Sequence, residues 1–129
     1  MLIDDDPMVH LLNTKLIKKV GLGVKVWVED GARSALELIT EEPDFRKPCL
    51  ILLDLNMPGW TGWDFLDMYQ KVDSDYQKDI CIVILSTSEN PDDMARANAN
   101  PAVDRYISKP LSQALILDLV KERWPDTLL

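Results

Sequence analysis

Short apolar runs alternate with helical stretches along the whole chain. The runs predict strands at residues 2–3, 24–28, 49–53, 80–85 and 103–107. Two of them, 49–53 and 80–85, are apolar at every position, as strands covered on both faces of a parallel sheet should be. Residues 24–28 instead alternate valine with Lys25 and Trp27, which indicates a less buried strand at an edge of the sheet.

Each predicted strand is followed by a stretch whose apolar residues recur at helical spacing. In the first helix, Asp6 and Pro7 form an N-cap followed by proline at the first helical position, and Gly21 ends the helix. Its inward face is predicted to be Val9, Leu12, Leu16 and Val20.

The other four helices have similar start and stop signals. The predicted N-terminal signals are Asp30 for the second helix, Thr61 for the third and Asn90-Pro91 for the alanine-rich fourth. The second helix is expected to end at Pro43, and the last before Pro125. The apolar faces of the second, third and fifth helices are Ala32, Ala35, Leu36 and Ile39; Phe65, Leu66, Tyr69 and Val72; and Leu115, Ile116, Leu119 and Val120.

Five strand–helix units imply a doubly wound parallel sheet with right-handed crossovers. We therefore expect an α/β protein with a flavodoxin-like five-stranded sheet in the order 2-1-3-4-5, covered by five helices in three α/β/α layers. The 129 residues are enough for one domain, so we assign residues 1–129 to a single domain with no further domain in this chain. Only three residues precede the first acids, which suggests that residues are missing upstream.

The composition is that of an ordinary soluble globular protein, with 47% hydrophobic and 28% charged residues. No apolar run approaches the roughly 20 residues of a membrane span. Acids stand where a secretion signal has basic residues, so we expect a cytoplasmic protein. The net charge of −8 argues against direct binding to nucleic acid or to an anionic membrane.

Three potentially reactive side chains are predicted to have no chemical role. Cys49 and Cys81 lie in apolar runs, which predicts buried thiols that stay reduced. Because each lies five residues before a polar strand end, we expect the two thiols side by side, at the end of the sheet away from those polar residues. His10, the only histidine, is predicted to point away from the apolar face of the first helix and to lie on the surface.

Polar residues that could carry out chemistry follow four of the five predicted strands, namely the first, third, fourth and fifth. They are Asp4-Asp5-Asp6, then Asp54-Leu-Asn56, then Ser86-Thr-Ser88, and finally Ser108-Lys109-Pro110. In open parallel sheets, sites form at the carboxyl ends of the strands, so these groups are expected to meet at one edge. Any one of them alone is more typical of a turn or a helix cap, and Asp6 is interpreted as a cap.

Clustered carboxylates repel one another and require a cation or raised pKa values. Oxygen-only ligands favour Mg²⁺, which can share a phosphate oxygen. A lysine can neutralise a phosphoryl group, a serine hydroxyl can donate to it, and a carboxylate can itself form an aspartyl phosphate. The pattern therefore predicts a site for Mg²⁺ and a phosphoryl group.

With these residues, the chain resembles the receiver domain of two-component response regulators, which belongs to the CheY-like superfamily. The resemblance covers essentially the whole chain. It rests on LIDDDP at 2–7, LLDLNMP at 52–58, Gly62, ILSTS at 84–88 and YISKP at 106–110. Thr61 stands where the family usually has aspartate, but both residues cap helices. Trp60 and Trp63 are further departures in the same loop and helix.

The resemblance implies a role for each matching residue. Asp54 would be the phosphoacceptor and would also contact Mg²⁺. Asp5 would bind the metal directly, Asp4 partly through water, and Asn56 through its backbone carbonyl. The remaining roles are a phosphate-binding lysine (Lys109), a switch hydroxyl (Ser86), an aromatic rotamer switch (Tyr106) and a cis peptide bond before Pro110.

The function implied is that of a signalling switch rather than an enzyme, although such a domain assists its own phosphorylation and dephosphorylation. Its phosphodonor would be a histidine kinase or phosphotransfer protein. An unknown downstream protein would read the surface of the fourth helix, fifth strand and fifth helix. The Ala-rich fourth helix buries little area, so it is expected to be held loosely.

Two other functions remain open from the residues. A Mg²⁺-dependent phosphohydrolase of the haloacid-dehalogenase type would use Asp4 as the nucleophile and Asp6 as the acid–base. Met8 stands where that class expects threonine or valine, no acidic pair closely follows Lys109, and the Asp54 segment would have no role. A pseudo-receiver would bind partners without being phosphorylated, which the intact set of acids, hydroxyl and lysine argues against.

Overall fold

The computed structural model describes residues 1–21, 25–41, 49–72, 74–77 and 79–125. Five parallel strands form one sheet in the order β2-β1-β3-β4-β5, which confirms the flavodoxin-like topology. The strands are β1 (Leu2–Ile3), β2 (Val28–Glu29), β3 (Cys49–Leu53), β4 (Ile80–Ser86) and β5 (Arg105–Ser108).

Five helices cover the sheet, and one further helical turn, Ser74–Gln77, lies between the third helix and β4. The helices are α1 (Pro7–Val20), α2 (Ala32–Glu41), α3 (Gly62–Tyr69), α4 (Pro91–Ala99) and α5 (Gln113–Arg123). One core cluster joins the sheet to α2, α3 and α4, and the other joins it to α1 and α5. The protein therefore has the expected three layers.

Most residues that were predicted to start or end a helix do so in the structure. The side chains of Asp6, Thr61 and Asn90 accept hydrogen bonds from backbone N–H groups at the starts of α1, α3 and α4. Gly21 ends α1 with a φ of 78°, a left-handed conformation that favours glycine. Asp30 does not cap α2: the helix starts at Ala32, directly after Gly31, whose carbonyl accepts from the Ala35 N–H.

Several predicted boundaries are wrong by a few residues. β2 contains only Val28 and Glu29, although it lies at the edge of the sheet and Val28 is 42% exposed, as the less buried pattern predicted. β5 begins at Arg105, because the N–H of Val103 closes a turn onto the Asn100 carbonyl. α3 ends at Tyr69, before Val72. The predicted positions of Val24 and Pro43 lie outside the described residues.

The inward face of α1 differs from the prediction. Leu12 is 59% exposed, whereas Leu16, Ile17 and Val20 pack against the core. His10 is buried, with 7% of its surface exposed, so its predicted surface position is wrong. Leucine, isoleucine and valine occur all around this helix, and their periodicity alone fits more than one face.

The two cysteines are free and buried, as predicted, but their thiols do not lie side by side. Cys81 pairs with Leu50 in the sheet, so it is displaced by one residue from Cys49. A one-residue offset places two side chains on opposite faces of a sheet. Cys49 accordingly packs in the cluster with α2 and α3, and Cys81 in the cluster with α1 and α5.

Burial and nearby Asp104 raise the pKa of the Cys81 thiol to about 12. A thiol with that pKa is almost wholly protonated at neutral pH and therefore unreactive.

Within the described residues, none of the helices is both long and apolar enough to span a membrane.

Candidate functional site

An acidic pocket forms where β1 and β3 end. The last residues of these strands, Ile3 and Leu53, are paired, so Asp4 and Asp54 leave the sheet side by side. The Asp54 N–H donates to the Ile3 carbonyl at 2.9 Å, which fixes this arrangement. Carboxylate oxygens of Asp4, Asp5 and Asp54 all lie within 4.8 Å of one another. Asp4 and Asp54 are buried, while Asp5 is exposed.

Lys109, directly after β5, brings a positive charge into this pocket. Its Nζ lies 2.9 Å from Asp4 Oδ2 and 3.6 Å from Asp54 Oδ1. The Lys109 N–H donates to the Ser86 carbonyl, which extends the β4–β5 pairing and places the lysine beside the end of β4. The peptide bond between Lys109 and Pro110 is cis, as the resemblance implied.

The charges in the pocket are unbalanced. Burial raises the pKa of Asp54, and the charge of Asp4 raises it further, while Lys109 and the backbone N–H of Asn56 oppose the shift. Burial tends to lower the pKa of Lys109, but its hydrogen bond to Asp4 and the charge of Asp54 outweigh this and raise it. With three carboxylates around one ammonium group, an additional cation would stabilise the ionised pocket.

The residues present fit a hard divalent cation. All the side-chain donors are carboxylate oxygens, one of the three acids is exposed to solvent, and the oxygens lie close enough to share one ion. Mg²⁺ binds through one or two carboxylates and keeps several waters, so an open, oxygen-only pocket suits it. The acidic pocket that the resemblance implies is thus present in this chain.

Ser86, whose carbonyl accepts from the Lys109 N–H, and Tyr106 of β5 both hydrogen-bond to Ser88. Ser86 is fully buried, and its Oγ accepts from the Ser88 N–H at 3.1 Å. The half-buried Tyr106 donates its hydroxyl hydrogen to the Ser88 carbonyl at 2.7 Å. The Ser88 hydroxyl donates in turn to Asp93 on α4 at 2.6 Å. A continuous chain of hydrogen bonds therefore joins the end of β4 to α4.

The loop after β3 is packed closely against the start of α3. Asn56 is exposed and turns its backbone N–H toward the Asp54 carboxylate. A Cβ at Gly62 would lie 2.5 Å from the Asp54 carbonyl oxygen and 2.9 Å from Leu55 Cα. Only glycine fits this contact without displacement of the backbone, so Gly62 holds α3 directly against the phosphoacceptor candidate.

The structure adds one residue that sequence reasoning missed. Nε2 of His10 lies 2.5 Å from the carbonyl oxygen of Asp4, one of the acids of the pocket. The sequence did contain a signal for this position, because Ile17 lies seven residues further along α1, two turns away on the same face, and packs in the core.

Asp4, Asp5, Asp54 and Lys109 come together at the carboxyl ends of β1, β3 and β5, and Ser86 ends β4 beside Lys109. Comparison with known proteins identifies the same class of protein as the sequence motifs, the receiver domain. The family described as "Response regulator receiver domain" matches residues 1–121. The chain therefore belongs to the response regulator receiver domain family, which functions as signalling switches in two-component systems.

Individual relatives agree with this assignment. The chain is 30% identical to "Probable methanogenesis regulatory protein FilR2" from Methanothrix harundinacea, over 96% of this chain and 81% of that protein. A "Two component response regulator" structure from Cytophaga hutchinsonii is 31% identical, with a TM-score of 0.84 over 98% of this chain and 93% of the other. "Sensory/regulatory protein RpfC" from Xanthomonas campestris is 26% identical over 95% of this chain, which spans only 16% of RpfC.

Proposed function

We propose that this protein is a phosphorylation-dependent switch in which Asp54 accepts a phosphoryl group from a histidine kinase or phosphotransfer protein. The observation that carries the proposal is the pocket itself, in which the ammonium of Lys109 faces the buried Asp54 carboxylate with two further acids alongside. The proposal treats residues 1–129 as one receiver domain.

The transfer requires little from the protein beyond positioning and charge. A carboxylate oxygen of Asp54 attacks phosphorus, and the bond from phosphorus to the donor's histidine nitrogen breaks, leaving the electron pair on that nitrogen. Lys109 pairs with the transferred phosphoryl oxygens, and the Ser86 hydroxyl donates to them. Bound Mg²⁺ would add positive charge beside these oxygens, held by Asp4, Asp5, Asp54 and the backbone carbonyl of Asn56.

The direct test is incorporation of phosphate from a small phosphodonor such as acetyl phosphate. We expect label with Mg²⁺ present and only background after chelation with EDTA. Failure to incorporate label under any condition would favour the pseudo-receiver instead. The match to the receiver family leaves the haloacid-dehalogenase hypothesis without support. That hypothesis also requires Asp6 as the acid–base, whereas the Asp6 side chain caps the N-terminus of α1.

Mg²⁺ should stabilise the folded protein in the absence of phosphate. Binding only to the native state at ten times the dissociation constant adds about 1.4 kcal/mol to the free energy of unfolding. For a domain of this size that raises the Tm by roughly 5 °C. Thermal denaturation with and without Mg²⁺ measures the shift.

The matched variant is Asp5→Ala, which removes the exposed acid of the pocket and should lose most of the Mg²⁺-dependent shift. An equal shift in Asp5→Ala and the parent would place the ion elsewhere.

The output surface is proposed to be α4, β5 and α5. A phosphoryl group brings roughly −1.5 to −2 charges and three acceptor oxygens. If the Ser86 hydroxyl turns to that group, the Ser86–Ser88 contact breaks, and Ser88 also holds Tyr106 and Asp93 of α4. Only Ala97 of α4 is buried, so few contacts resist a shift of this helix.

Hydrogen exchange with a phosphoryl mimic such as beryllofluoride tests this surface. We expect changed exchange in α4 and β5 as well as in the pocket. Tyr106→Phe keeps the ring and removes the bond to Ser88, so this variant should show altered exchange in the loop and α4 before any mimic is added. Changes limited to the pocket would contradict the switch and leave Asp54 as the acceptor.

A further inference from the structure

His10 is buried and contacts Asp4 of the acidic pocket, and the proposed phosphotransfer assigns it no role. Its side chain is 8% exposed, and its Nε2 contacts the Asp4 carbonyl oxygen at 2.5 Å. A carbonyl oxygen can only accept, so Nε2 carries the hydrogen and donates it. The other ring nitrogen, Nδ1, is buried without a hydrogen-bond partner among the described residues.

Every polar atom of Asp4 has a partner, and His10 supplies the one from α1. The Asp4 N–H donates to the Glu29 carbonyl, Oδ1 accepts from the Asp6 N–H, and Oδ2 accepts from Lys109. The carbonyl oxygen accepts from His10. Asp4 is thus held from β2, its own loop, β5 and α1 together.

The Asp4 carbonyl belongs to the peptide unit that joins Asp4 to Asp5. Because that unit is planar, the direction of its carbonyl sets the direction of the Asp5 N–H and limits where both acidic side chains can lie. A hydrogen bond to this one oxygen therefore fixes the backbone unit that carries two of the three acidic side chains of the pocket.

We infer that His10 is a positioning residue for the cation site, and that its Nε2–H donor holds the Asp4–Asp5 peptide in the geometry that binds Mg²⁺. The inference rests on the proposed function, because it deepens the role of the same pocket. Groups that orient metal ligands typically change metal affinity by 10-fold or more when they are removed.

The contact with Asp30 is a weaker explanation for the burial of His10. Asp30 Oδ1 lies 3.6 Å from Nε2, beyond hydrogen-bond distance, and the Asp30 side chain is 90% exposed. An ion pair so open to solvent contributes little. Asp30→Asn therefore serves as a control, and we expect it to keep the Mg²⁺ affinity of the parent.

The test compares His10→Gln with His10→Met, two side chains of similar length of which only glutamine carries an N–H donor. Mg²⁺ affinity is measured on the folded proteins by calorimetry, without phosphodonor. We expect His10→Gln to stay within about 2-fold of the parent and His10→Met to bind about 10-fold more weakly. At saturating Mg²⁺, phosphate incorporation into His10→Met should recover.

Equal Mg²⁺ affinity in the two variants, whether retained or lost in both, would overturn the inference, because the donor would then make no difference. If His10→Met does not fold, His10→Asn replaces it, since its shorter amide cannot reach the Asp4 carbonyl. A parent protein that fails to bind Mg²⁺ would instead count against the proposed function itself.

A spectroscopic measurement checks the hydrogen bond independently. The chain contains 1 histidine, so a ¹⁵N-histidine-labelled sample gives a single set of imidazole signals. We expect a ring N–H signal at Nε2 that exchanges slowly with solvent and shifts as Mg²⁺ is added. A rapidly exchanging ring with protonation at Nδ1 alone would contradict the assigned donor.

Discussion

Asp54→Asn is expected to reduce phosphate incorporation from a small phosphodonor to background. Asparagine has almost the same size and shape, but its amide cannot form the acyl phosphate. Labelling with isotopic phosphodonor and Mg²⁺, followed by gel or filter detection, measures the loss. Because burial disfavours the ionised form of Asp54 in the folded protein, the neutral asparagine should not lower the free energy of unfolding.

The matched control is Asp6→Asn in the neighbouring β1–α1 loop. Asn caps helices as well as Asp does, so the capping bond to the Met8 N–H should persist and labelling should stay near the parent level. The opposite pattern, with Asp54→Asn labelled and Asp6→Asn inactive, would return the phosphohydrolase mechanism to consideration.

Gly62→Ala is expected to destabilise the protein by about 3 kcal/mol, at the upper end of what overpacking usually costs. The added methyl group would meet two backbone atoms, the Asp54 carbonyl oxygen and Leu55 Cα, rather than the end of a flexible side chain. The fold can relieve the clash only by moving α3 away from the acceptor loop. Urea denaturation measures the stability, and labelling of the folded fraction should also fall.

Gly31→Ala is the control for this substitution. A Cβ at Gly31 would meet nothing within 4 Å, so we expect a change below about 1 kcal/mol, which covers the modest loss of replacing glycine at a helix start. If Gly62→Ala proved as stable as Gly31→Ala, the close approach of α3 to Asp54 would be wrong.

The sequence predicted the clustering of the pocket residues better than it predicted the surrounding packing. Asp4, Asp54, Ser86 and Lys109 each follow a short apolar run, and parallel strands necessarily bring such positions to one edge. That argument needs only the order of the elements. It does not depend on the exact boundaries of the strands or on how they pair.

Features that depend on register or on a choice between similar helix faces were predicted poorly. The predicted side-by-side placement of Cys49 and Cys81 is wrong because β3 and β4 pair one residue away from the assumed alignment. α1 presents apolar residues on several sides, so periodicity favoured Leu12 over the face that contains His10. The role of His10 depends on a tertiary contact with the Asp4 carbonyl, which no local pattern encodes.

The most direct measurement identifies the residue that carries the phosphoryl group. Borohydride reduces an aspartyl phosphate to homoserine, and mass spectrometry of the digested protein then locates the altered position. We predict homoserine at position 54 after treatment with phosphodonor and Mg²⁺, and unchanged aspartate there when the donor is omitted. Homoserine at position 4, or at neither position in a protein that has incorporated phosphate, would contradict the account.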